Sequence, residues 1–101
     1  MQPVVGQRWV STAEPELGIG KVASLDQRNV VLRFERVGET RMFRFANAPL
    51  ARYRLKQGDS ANFPSGRAIV KDSTERDGLL WYDTTLGLFC ESEIADAQLT
   101  L

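Results

Sequence analysis

A chain of 101 residues, 43% hydrophobic and 26% charged, has the composition of a folded globular protein with room for one modest core or two minimal ones. It has no histidine and a single cysteine, Cys90, which excludes Ser-His-Asp and Cys-His catalysis and an internal disulfide framework, argues against a zinc site, and fits a reducing cytoplasm. Its 13 Lys/Arg balance its 13 Asp/Glu, yet residues 1–55 carry nine against five (+4) and residues 56–101 carry four against eight (−4), so the two halves present different surfaces.

The N-terminus, Met1 to Gly6, has no basic stretch and no long apolar stretch, and reads as no secretory signal. No segment approaches the roughly 18 apolar residues of a membrane span. Trp9 is the first large core candidate, and Ser11 to Leu17 reads as a loop. Gly18-Ile19-Gly20 then predicts a bent approach to a strand at Lys21–Leu25; a nucleotide loop would need a third glycine and a following helix. Asn29–Phe34 alternates with period two, placing Val30, Leu32 and Phe34 on one face. Arg41–Phe45 does the same with Phe43 and Phe45. Arg76-Asp77-Gly78 is a turn signal leading into the β-rich run Leu79–Tyr82. Ser92–Asp96 could form a helical turn, and Ala97–Leu101 reads as a last strand.

The halves also look like two copies of one plan. At an offset of 46, Gly20–Asp26 lines up with Gly66–Asp72, and Phe43 with Phe89. Gly6-Gln7-Arg8 corresponds to Gly58-Asp59-Ser60 if the first copy has the longer loop. The expectation is all-β: two tandem, small, highly bent five-stranded antiparallel sheets of the Tudor, SH3-like or KOW-like barrel type. They would span residues 1–55 and 56–101, packed together because no Gly-, Ser- or Pro-rich linker separates them.

Gly6-Gln7-Arg8-Trp9-Val10-Ser11, Glu14 and Glu16-Leu17-Gly18-Ile19-Gly20-Lys21-Val22 resemble the start of the RapA (HepA) family of bacterial RNA polymerase-associated ATPases. Leu32-x-Phe34, Gly38-Glu39-x-Arg41, Ala48-Pro49, Gly58-Asp59 and Gly78-Leu79-Leu80 recur at that family's spacing, whereas the Phe89-Cys90 strand departs from it. The resemblance implies two Tudor-like barrels ahead of a large SWI/SNF-type helicase motor in a protein that recycles RNA polymerase. It implies that this region binds RNA polymerase core enzyme and restrains the ATPase motor of the same polypeptide. The motor's phosphate-binding loop and acidic helicase motif are not found in these 101 residues, so no ATP hydrolysis, catalytic residue, metal or cofactor is expected of this chain.

Candidate partner-binding residues are Arg28, Arg33, Arg36, Arg41 and Arg44, read as lying on the second-to-third hairpin of the first half, with Arg52 and Arg54 following. They read either as an ordinary solvated face or as a basic patch for carboxylate or phosphate, for which planar arginine suits better than lysine. The nine aromatics fit core packing better than a methyl-lysine cage, with Trp9, Phe34 and Phe43 in the first core. Trp81 and Tyr82 face opposite sides of one strand, so one of them, with Trp81 named as the candidate, is available for a contact. Two readings follow: a polymerase-docking regulatory module, or a KOW- or OB-like module touching DNA or RNA through the basic half. Either is expected to be a cytoplasmic, nucleoid-associated monomer without membrane contact.

Overall fold

The computed structural model of the protein describes residues 3–95. The fold is all-β, with two antiparallel sheets joined by turns and single 3-10 turns. The first sheet is built from β1 (Arg8–Ser11), β2 (Ile19–Leu25), β3 (Asn29–Phe34), β4 (Glu39–Arg44) and β5 (Leu50–Arg52) in the order β4-β3-β2-β1-β5. The second contains β6 (Ser60–Phe63), β7 (Gly66–Arg76), β8 (Leu79–Thr84) and β9 (Gly87–Cys90) in sequence order. The expected strand at Ala97–Leu101 lies outside the described residues. Ala95 N–H donates to the Asn62 carbonyl of β6 at 2.8 Å.

The alternation in β3 does what its period demands. Val30, Leu32 and Phe34 are fully buried and pack with Trp9, Leu17 and Val22, while Arg33 points to solvent. Phe43, Phe45 and Leu50 close this core at its edge. Strand β4 ends at Arg44, and Phe45 opens a 3-10 turn at Phe45–Asn47, so Phe45 reaches the core from a turn and not from the strand. Gly20 is required by packing: a Cβ there would stand 2.8 Å from the Phe34 ring. Gly18, at φ 85°, ends the 3-10 turn Pro15–Leu17 and sets up the bend into β2.

The second core gathers Leu55, Ala61, Phe63, Ala68, Val70, Leu80, Tyr82 and Ile94, with Phe89 stacked on Phe63 at 4.8 Å. Asp77 and Gly78, both at positive φ, form the two-residue connection between Arg76 and Leu79 that suits the twist of a hairpin. The helical turn is a 3-10 turn at Glu91–Glu93, one residue earlier than expected.

The internal repeat is real in register, and its offset needs one correction. Gly6 and Gln7 bracket Val22 through paired backbone hydrogen bonds, and Gly58 and Asp59 bracket Val70 in the same way. A bulge follows in each copy, between Val22 and Ser24 and between Val70 and Asp72. The β2–β7 correspondence is therefore Val22 with Val70, an offset of 48 where 46 was expected, whereas Gly6 with Gly58 and Phe43 with Phe89 stand as read. A two-residue slip leaves every side chain on its proper face, because the strand period is two.

The radius of gyration, 13.2 Å, is that of one compact body of this length, so the sheets pack against each other.

Candidate docking surface

The five hairpin arginines do not form one patch. They spread over the β2–β3 turn (Arg28), β3 (Arg33), the β3–β4 turn (Arg36) and β4 (Arg41 and Arg44), beyond the single hairpin expected. The β3–β4 register sets Leu32 opposite Arg41 and Val31 opposite Met42, so Arg41 shares the inner face and Arg33 and Arg44 share the outer one. Arg41 is tied down: its guanidinium donates to Glu39 at 2.7 Å and to Glu14 at 3.0 Å. The Glu39 hydrogen bond and both carboxylates push its already high pKa higher. Arg33 donates to the Gly38 carbonyl and to Thr40 Oγ1, both at 3.2 Å, which lays it along the outer face. Arg28 and Arg44 are exposed at the opposite end, next to the Asp26 turn.

In that turn Asp26 accepts from the Arg28 and Asn29 backbone N–H groups at 2.8 Å, and these bonds hold its carboxyl below the ordinary value. The residue missed at the sequence level is Met42. It is 67% exposed on the outer face of β4, beside Val31 and between the Arg33 and Arg44 ends. Its outward phase between Arg41 and Phe43 was the available signal.

On the second sheet, Tyr82 is the inward member of the pair. It is fully buried, its hydroxyl accepts from Leu55 N–H at 3.1 Å, and burial pushes its pKa up. Trp81 takes the opposite face, half-buried between Thr74 and Cys90 of the neighbouring strands.

Arg52 leaves the basic patch altogether. It pairs with Glu91 across the two sheets at 2.5 Å, with its guanidinium carbon 5.8 Å from the Trp9 ring centroid. Glu91 is fully buried and also accepts from the backbone N–H groups of Arg8 and Leu80. Arg8, likewise buried, donates to the carbonyls of Glu91, Ser92 and Ile94. Gln7 accepts from the Trp9 indole at 3.0 Å and donates to the Gly78 carbonyl at 2.7 Å. These residues form a polar seam between the sheets, in which the buried Arg52 and Glu91 pair with each other and the Arg8 guanidinium donates to backbone carbonyls.

No cluster of three or more His, Cys, Asp or Glu stands ready for a metal, and no helix is long and apolar enough to cross a membrane, among the described residues.

The comparisons with known proteins agree with this architecture. The family model of the RapA N-terminal Tudor like domain 1 matches residues 4–53, from the start of the chain to just past β5. RNA polymerase-associated protein RapA of Pseudomonas fluorescens (strain SBW25) is 36% identical over 96 residues, covering 94% of this chain and 10% of that protein. The proteins of the same name from Pseudomonas savastanoi pv. phaseolicola and Pseudomonas syringae pv. tomato are each 39% identical over 90 residues, covering 88% of this chain and 9% of theirs. The chain thus spans about a tenth of the length of the curated relatives it matches. With the all-β sheets, the matched first domain and relatives that align along most of its length, the chain belongs to the RapA family, as its N-terminal Tudor-like portion.

Proposed function

We propose that this chain is a non-catalytic docking and regulatory module of an RNA polymerase-recycling ATPase, one that binds RNA polymerase core enzyme and restrains the motor of the same polypeptide. Two Tudor-like units, dividing near residue 55, would work together as a cytoplasmic, nucleoid-associated monomer. The relatives' shared description as RNA polymerase-associated proteins supports the partner. The observation that carries the surface is the outer face of the β3–β4 hairpin, where Met42 and Val31 form an apolar centre flanked by Arg33 and Arg44. An exposed apolar side chain between guanidiniums is how docking anchors are built, with charge steering the encounter and the desolvated centre slowing dissociation.

The test is retention of core polymerase on the immobilised chain, compared with retention by Met42→Glu combined with Arg44→Glu. Loss in the double variant supports this face. The alternative, DNA or RNA contact through the basic half, predicts nucleic-acid binding whose affinity falls steeply with salt and no retention of polymerase.

A further inference from the structure

The β2–β3 turn and the end of β4 enclose a second feature at the corner of the same hairpin. It is a cleft of about 350 Å³ whose lining includes Asp26, Arg28, Asn29, Arg44 and Phe45. Its size is at the low end for ligand pockets, enough for one or two side chains and far too small for a duplex.

Two arginines, Arg28 and Arg44, line it. Elsewhere in the first sheet the guanidiniums are used by the fold: Arg41 by Glu14 and Glu39, Arg52 by Glu91, Arg33 by Gly38 and Thr40. The Arg28 and Arg44 guanidiniums make no hydrogen bond or ion pair with the described residues, and both are exposed at the cleft. Asp26 lines the same cleft, and its carboxylate is occupied by the Arg28 and Asn29 backbone N–H groups and by the Asn29 side-chain amide at 3.3 Å. Its charge remains, and Arg28 is near enough to act on it electrostatically. The lining therefore carries two positive charges and one negative, a net balance suited to a single carboxylate and poorly suited to a polyphosphate chain. Phe45 supplies an apolar wall. Its ring is half-buried and fixed edge-to-face against Trp9 at 5.5 Å, so it is held in place before anything binds.

We infer that this cleft is a recognition site for an acidic peptide segment, in which a carboxylate side chain lies between Arg28 and Arg44 and a neighbouring apolar side chain covers Phe45. This deepens the docking reading and rests on it: the segment would belong to the protein that the hairpin docks against.

The test is a titration of the isotope-labelled 101-residue chain followed by amide NMR, with three probes. These are the tripeptide Glu-Phe-Glu capped at both ends, its isosteric control Gln-Phe-Gln, and an eight-nucleotide single-stranded oligothymidylate. The acidic peptide should give saturable shifts centred on the amides of 26–29 and 44–46. The control should bind about tenfold more weakly, the loss expected when charge-assisted bonds become neutral ones. Arg28→Ala with Arg44→Ala should weaken the acidic peptide to the level of the control, with the rest of the spectrum unchanged. Equal binding of the two peptides, shifts centred elsewhere, or tighter occupation of the cleft by oligothymidylate would overturn the proposal. No polymerase is present in this titration, so its failure speaks only of the cleft. Failure of the docking reading would appear separately, as loss of polymerase retention by the parent chain.

Discussion

Arg52 and Glu91 meet at the boundary between the two sheets, 2.5 Å apart, with side-chain exposures of 9% and 0%. The carboxylate is shared, since one oxygen also takes the Arg8 backbone N–H and the other that of Leu80. A group with four donors aimed at it cannot be replaced by an apolar residue without orphaning backbone N–H groups on both sheets.

Glu91→Gln should therefore be costly although it preserves shape. It turns one acceptor oxygen into an NH2 group facing other donors and leaves Arg52 without its counter-ion. Breaking a buried pair by removing one partner costs about 3–5 kcal/mol. For a domain of this size that is a fall in melting temperature of more than about 10 °C. The comparison is Arg41→Gln, which removes a half-exposed arginine from the solvent-screened carboxylates of Glu14 and Glu39 and should lower the melting temperature far less. Equal melting temperatures for the two variants would show that the seam does not hold the halves together.

Trp9→Ala should cost about 3–5 kcal/mol, from the cavity it leaves. The ring packs edge-on to Phe45, lies beneath Arg52 and bonds Gln7, which reaches Gly78 of the second sheet. Thermal melting followed by circular dichroism checks the cost, and a change within about 2 °C of the parent would contradict it.

Gly20→Ala should destabilise by about 1–3 kcal/mol through overpacking, because the new methyl would enter the space of a fully buried Phe34. Combining it with Phe34→Leu should recover part of the loss. Urea titration of the single and double variants measures this; strictly additive losses would show that the two residues do not compete for space.

The Asp26 turn makes a prediction about pH. Hydrogen bonds to the backbone of Arg28 and Asn29 hold this carboxyl below its ordinary value of 3.8. A group whose pKa is depressed by folding contributes stability above its unfolded value, and that contribution fades as pH falls through the folded one. The turn should thus be fully formed at neutral pH and loosen only in the acid range below the ordinary carboxyl value. Carbon-detected NMR titration of Asp26, read together with the Arg28 amide, tests this. An Asp26 midpoint at or above that of an unfolded reference peptide would refute it.

Much of the fold was legible because strand periodicity and turn chemistry act locally. The faces of β3 followed from the spacing of Val30, Leu32 and Phe34, and the β7–β8 hairpin from Asp77-Gly78. Even the misplaced repeat offset kept Val22 and Val70 inward, since an error of two residues cannot change the face of a strand. The fate of the arginines was not legible in the same way. Alternation states which side Arg41 or Arg44 takes, not what waits there. Arg52 sits in the basic half by sequence, yet its partner is Glu91, 39 positions away, and Arg8 finds its acceptors at Glu91, Ser92 and Ile94. Only the packing of one sheet on the other makes those pairs.

The seam also bears on how the protein emerges during synthesis. All five strands of the first sheet are complete once Arg52 has been made, but the acceptors for its buried Arg8 side chain belong to residues 91–94. Until those residues leave the ribosome, the first sheet must keep Arg8 and Arg52 in water. A nascent chain held at residue 70 should accordingly be cut by protease well before one held long enough to expose Ile94. For this chain, the smallest unit able to hide its own charges is the pair of sheets.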